Sequence, residues 1–146
     1  MLSAWIDGAC DPNPGGRAGY GIIVRYGEGT IIYQRSMFIG EGSLMSNNVA
    51  EYCALLELIK WNASKIPTRV HSDSMMLVNQ MMGFWGARKG LYVNIFHEVW
   101  DTLRIQGFPH NYTFIWIERE ENYEADELAT TAIMRRSSRL TQVVGK

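Results

Sequence analysis

Basic excess, a cysteine framework, a histidine cluster and any long apolar run are all missing from this chain, and each absence narrows what it does. Fourteen Lys and Arg stand against 15 Asp and Glu, a formal charge of -1, and the isoelectric point is about 6.3. That is far from the strongly basic footprint usual for a nucleic-acid binder. Two cysteines, Cys10 and Cys53, form neither a CxxC nor a disulfide framework, which fits a reducing compartment. Three scattered histidines, His71, His97 and His110, argue against a zinc site. No apolar run approaches a membrane span, and MLSAWIDGAC has neither the basic nor the long apolar region of a signal peptide. A cytoplasmic protein without a membrane role is the expectation.

What is present describes a globular chain. Of 146 residues, 47% are hydrophobic and 12% aromatic, enough for one domain with a full core. Strands are predicted over residues 2–9, 20–26, 30–39, 69–72 and 112–117, the second and third joined by GEG as a hairpin. Helices are predicted over 46–62, 74–82, 94–106 and 123–135. DPNPGGRAG (11–19) and FWGARKGLY (84–92) are connections, and 137–146 reads as a loose tail. A hairpin run followed by β–α alternation implies an α/β fold: a five-stranded mixed sheet, three antiparallel strands then parallel ones, flanked by about four helices. The domain is expected to span 1–136, with a flexible basic tail at 137–146.

One residue disturbs this pattern. In SNNVAEYCALLELIKWN, at 100° per residue, Tyr52, Ala54, Leu55, Leu58, Ile59 and Trp61 share a broad face, with Cys53, Glu57 and Lys60 opposite. Glu51 falls in the middle of the apolar arc. A carboxylate there is costly unless hydrogen bonds, a paired charge or a metal ion compensates it. Taken alone it has plainer readings, an arc edge leaning to solvent or a local pair with Lys or Arg. Three further acids bear on the choice. Asp7 lies late in the first strand, Asp73 just past the fourth, and Asp126 opens the last helix. In such sheets functional groups gather near the carboxyl ends of strands. Four converging carboxylates would need a cation to stay ionised together, and hard oxygen ligands select Mg²⁺ or Mn²⁺. With those four of the 15 acids set aside, 14 basic residues face the remaining 11, which permits phosphate binding.

Four blocks, in order, resemble the type 1 ribonuclease H family: Asp7-Gly8-Ala9-Cys10 with the NPGG loop, Asn47-Asn48-Val49-Ala50-Glu51, Ser72-Asp73-Ser74, and Asn122 to Ala129. The likeness covers about residues 2–135. It implies a ribonuclease H-like fold and an endonuclease that hydrolyses the RNA strand of RNA–DNA hybrids with two Mg²⁺ ions, Mn²⁺ substituting, leaving 5′-phosphate and 3′-hydroxyl ends. Asp7, Glu51, Asp73 and Asp126 are then the catalytic metal ligands. Asp7 would bridge both ions, Glu51 and Asp73 help hold one, and Asp126 hold the nucleophile-side ion with Asp7. By position, Asn13, Asn47 and Asn48 resemble contacts to RNA riboses and base edges. Ser46 and Asn94 resemble a pocket for a DNA-strand phosphate, and Trp85 a platform for a DNA sugar. The bland alternatives are helix caps for Ser and Asn and core packing for Trp85. Met75, Met76, Met81 and Met82 read as core and groove filler. The RNA–DNA hybrid is the implied partner. No obligate protein partner is implied, so a monomer is expected.

The chain departs from the family in three ways. FWGARKGLY keeps only Arg88 and Lys89 of a basic, Trp-containing insertion, and a separate N-terminal hybrid-binding domain is not expected. The loop before the last acid, Glu118-Arg119-Glu120-Glu121, lacks the histidine many members place there. Arg119 taking part of that role, Glu120 or Glu121 adjusting a metal, and plain solvated charge are three open readings. Weak hybrid affinity and low processivity are the expectation.

Overall fold

A computed structural model describes residues 1–107 and 110–142. The strands are β1 (Leu2–Asp11), β2 (Arg17–Tyr26), β3 (Ile31–Glu41), β4 (Thr68–Ser72), β5 (Tyr112–Trp116) and β6 (Arg139–Gln142). The helices are α1 (Asn47–Trp61), α2 (Met75–Met81), α3 (Val93–Gln106) and α4 (Tyr123–Arg135), the last preceded by a 3-10 turn, Arg119–Asn122. They form one sheet in the order β5-β4-β1-β2-β3-β6. β1 pairs parallel to β4 and β4 parallel to β5, while β2, β3 and β6 continue antiparallel. The expected mixed sheet is therefore present, with six strands among the described residues and not five. The extra strand comes from the stretch read as a tail: β6 hydrogen-bonds to the outer edge of β3 with all four residues exposed, so no buried alternation marks it in the sequence. The last four residues of that stretch lie outside the described residues.

Alternation along β1 sorts its side chains onto two covered faces. Ala4 and Ile6 lie in the core shared with Leu55, Leu58 and Ile59 of α1. On the other face glycines let α4 close on the sheet. A Cβ on Gly21 would lie 2.2 Å from the Ala125 carbonyl oxygen, and one on Gly19 would lie 3.1 Å from the Ala132 side chain. Ser36 then donates to the Leu128 carbonyl at 2.6 Å, fastening α4 to β3. Helix α3 packs outside α1, and α2 lies against β4 and β5. Among the described residues no helix is long and apolar enough to cross a membrane.

α1 is held on both flanks. Its inner stripe buries Tyr52, Ala54, Leu55, Leu58 and Ile59, as the spacing implies. Glu57, read as facing away from that stripe, instead meets the sheet. Its carboxylate accepts from the Tyr20 and Tyr33 hydroxyls and pairs with Arg35 at 3.3 Å. Trp85, for which core packing was one reading, is 48% exposed. The methionines divide: Met81 is buried, Met76 half-buried, and Met75 and Met82 are exposed.

Candidate active site

The parallel ladder between β1 and β4 pairs Trp5 with His71 and stops there. Continued by two residues, that register brings Asp73, on the turn after β4, alongside Asp7. Glu51 arrives from the first turns of α1 because β1 has no side chain where the helix crosses it. A Cβ on Gly8 would lie 2.5 Å from the Glu51 nitrogen. One ligand oxygen each from Asp7, Glu51 and Asp73 lies within 4.8 Å of the others. Asp126, in the first turn of α4, lines the same cleft as these three, and its charge acts on Asp7. Of the four acids predicted to meet, Asp7, Glu51 and Asp73 thus lie within ligand distance of one another, and Asp126 lines the cleft they share.

Asp7 and Glu51 are buried, and Asp73 and Asp126 are half-buried. They line a cleft of about 580 Å³ together with Asn47 and Arg119. No Lys or Arg among the described residues is within salt-bridge distance of any of the four. Burial, then the charges of Asp73 and Asp126, push the Asp7 carboxyl up to about 8. Burial, Asp7 and Asp73 hold Glu51 well above the usual carboxylate range. Asp73 is raised by burial, offset in part by a hydrogen bond from Asn122 and the charge of Arg119. Glu51 Oε2 is buried without a hydrogen-bond partner among the described residues. An orphaned carboxylate oxygen beside two more carboxylates fits a hard divalent cation, which takes oxygen ligands and favours their ionised forms.

The expected substrate contacts are dispersed. Asn47 lines the cleft, and its backbone N–H donates to Asn13 Oδ1 at 2.9 Å, tying the β1–β2 loop to the start of α1. Asn48 is half-buried in the same turn. The Ser46 hydroxyl caps α1, accepting from the Val49 N–H at 3.1 Å. Asn94, in the first turn of α3, and Trp85 are exposed and do not line the cleft. In the loop before α4, Glu121 accepts from the Glu118 N–H and so serves the 3-10 turn, whereas Arg119 faces the acids. Asn122 went unassigned from sequence. Its side chain donates to the Ile6 carbonyl at 2.8 Å and to Asp73 Oδ2 at 3.2 Å. An Asn just ahead of a helix reads as a cap, which hid this.

A mixed sheet with carboxylates converging from its central strand, the turn after a neighbouring strand and two helices defines the ribonuclease H class of metal-dependent nuclease folds. The chain matches the reverse transcriptase-like family over residues 6–132. It is 31% identical over 142 residues to a ribonuclease H of Ruegeria pomeroyi, covering 88% of this chain and 89% of that one. A ribonuclease H of Syntrophus aciditrophicus is 30% identical over 131 residues, covering 84% and 72%. A crystal structure of LC11-RNase H1 in complex with an RNA/DNA hybrid superposes with a TM-score of 0.80 at 29% identity, covering 93% of this chain and 99% of that one. The chain belongs to the reverse transcriptase-like family, as a type 1 ribonuclease H.

Proposed function

We propose that this chain is an endonuclease that cuts the RNA strand of RNA–DNA hybrids, with two Mg²⁺ ions held by Asp7, Glu51, Asp73 and Asp126 and Mn²⁺ as a substitute. The observation that carries the reading is the cluster of Asp7, Glu51 and Asp73 oxygens within 4.8 Å, with no basic partner and one Glu51 oxygen orphaned among the described residues. Asp7, Glu51 and Asp73 would hold one ion, and Asp7 with Asp126 would hold the other. Bound there, the ions supply a water of lowered pKa for in-line attack and charge neutralisation at the departing 3′ oxygen. Products carry 5′-phosphate and 3′-hydroxyl ends, and no covalent enzyme intermediate forms.

The rest of the cleft orients the hybrid. Asn47 and Asn13, joined by their hydrogen bond, and Asn48 read RNA riboses and base edges; the 2′-hydroxyl is what distinguishes RNA from DNA at such contacts. Ser46, half-buried at the start of α1, together with exposed Asn94 receives a DNA-strand phosphate, and exposed Trp85 supports a DNA sugar. Residues 1–136, with β6 (Arg139–Gln142) completing the sheet, form the catalytic domain of a cytoplasmic monomer.

Labelled RNA–DNA hybrid, double-stranded RNA and double-stranded DNA, each incubated with Mg²⁺ or Mn²⁺, test the reading. Internal cuts confined to the RNA of the hybrid support it. Cleavage of DNA, end-wise digestion or no cleavage of any substrate counts against it.

A further inference from the structure

The four acids arrive from separate elements, so something must fix their mutual placement before any ion binds. β1 carries Asp7, the β4–α2 turn carries Asp73, and α4 carries Asp126. The β1–β4 ladder ends at Trp5 and His71, which leaves the Ile6 carbonyl and the turn at Asp73 without ladder partners on that side. Asn122 fills this gap. It is 1% exposed, at the junction between the 3-10 turn and α4, four positions before Asp126. An amide nitrogen has two hydrogens to give, and both are used. One goes to the carbonyl of the residue preceding Asp7, the other to the carboxylate of Asp73. Both partners are acceptors, so the amino end of the side chain must face them.

No other side-chain donor among the described residues reaches the Asp73 carboxylate, and its second oxygen is left free of donors. The Asn122 carbonyl Oδ1 is buried without a partner among the described residues. A side chain kept for packing alone would not bury an amide with one end unsatisfied. Its amino end is the part with a task.

We infer that Asn122 is a positioning residue of the acidic site: its amide fixes the rotamer of Asp73 and ties it to the β1 main chain beside Asp7. The assignment rests on the nuclease reading, because it treats Asp73 as a metal ligand. Outer partners that hold ligating carboxylates typically change metal affinity or activity by about 10–100-fold when removed.

Asn122→Leu keeps the volume and removes both donors, and Asn122→Ala removes the side chain. In either folded variant, Mn²⁺ binding followed by calorimetric titration weakens by about tenfold or more. The hybrid kcat falls in step, while KM for the hybrid stays at the parent value. A folded variant with parental Mn²⁺ affinity and kcat overturns the assignment. The unaltered chain supplies a second measurement that needs no variant to fold. On Mg²⁺ titration the ¹⁵N resonance of the Asn122 side-chain amide shifts, since its acceptor becomes a ligand; a resonance unmoved at saturation also overturns it. A parent chain that binds no Mn²⁺ and cuts no hybrid sinks the nuclease reading itself. A parent that does both, with variants to match, sinks only the role of Asn122.

Discussion

With water largely excluded and Asp73 and Asp126 beside it, Asp7 keeps its proton to about pH 8, where the ordinary value is 3.8. The unfolded chain gives that proton up near the ordinary value. Between the two the folded state holds more protons than the unfolded one, so stability of the metal-free chain falls as pH climbs from about 4 through 8. A divalent ion reverses the preference by favouring the carboxylates. Melting curves in chelator and in saturating Mg²⁺ should therefore differ more at pH 8 than at pH 5. Equal shifts at the two values would refute the linkage. Asp7→Asn removes the repulsion along with the ligand. In chelator at pH 8 its Tm should exceed the parent's, by roughly 2–4 °C for each kcal/mol of strain relieved, while hybrid cleavage is lost. A melting point below the parent's would mean the carboxyl does structural work not visible in its contacts.

At the scale of elements, α1 shows how far periodicity carries and where it stops. The stripe from Tyr52 to Ile59 and the misplaced Glu51 were legible because one helix wheel contains them. Glu57 was not, since its partners Tyr20, Tyr33 and Arg35 lie on two strands whose distance from α1 no local pattern encodes. β6 escaped for a different reason: a four-residue exposed edge strand buries nothing, so its sequence carries no alternation. The convergence of the acids was legible only as an inference from strand order and strand ends. Asn122, whose partners are a main-chain carbonyl and a distant carboxylate, had no sequence signal beyond its place in the last motif. Two changes probe these contacts. Glu57→Ala strips two phenols and Arg35 of a shared charged acceptor, and hydrogen bonds to charged groups contribute about 1.5–3 kcal/mol each. Urea melts should show a loss of that order or more, with kcat of the folded fraction kept. Gly8→Ala sets a methyl against the Glu51 nitrogen and Ala50, an overpacking that costs about 1–3 kcal/mol. Because it also lifts Glu51 from Asp7, it should weaken Mn²⁺ binding, which Glu57→Ala should not. A Gly8→Ala chain with parental Mn²⁺ affinity would show that α1 can shift without moving the site.

Taken whole, the molecule puts its acids at the centre of the sheet and few cations near them. Arg119 faces the cleft, but Arg88 and Lys89 are alone on the short α2–α3 connection, where exposed Phe84 and Trp85 add apolar surface. Arg25 and Arg35 are tied to Glu124 and Glu57 on either side of the sheet. Affinity for a polyanion rises with the number of phosphates neutralised, and the slope of log K against log salt reads that number. A chain with so few unpaired cations beside its cleft should hold hybrid weakly, release it between cuts, and show a KM that rises with salt while kcat stays level. If contacts are limited to Arg119, Arg88 and Lys89, the slope should be about three times the single-contact value of 0.7–0.9. Arg88→Ala with Lys89→Ala should then lower the slope by about two such units and leave kcat intact. A steep slope surviving that double change would place the main phosphate contacts elsewhere, with Arg136 and Arg139 at the far edge of the sheet the next to test. Tight binding indifferent to salt would mean that the exposed aromatics and the asparagines of α1, not charge, hold the hybrid.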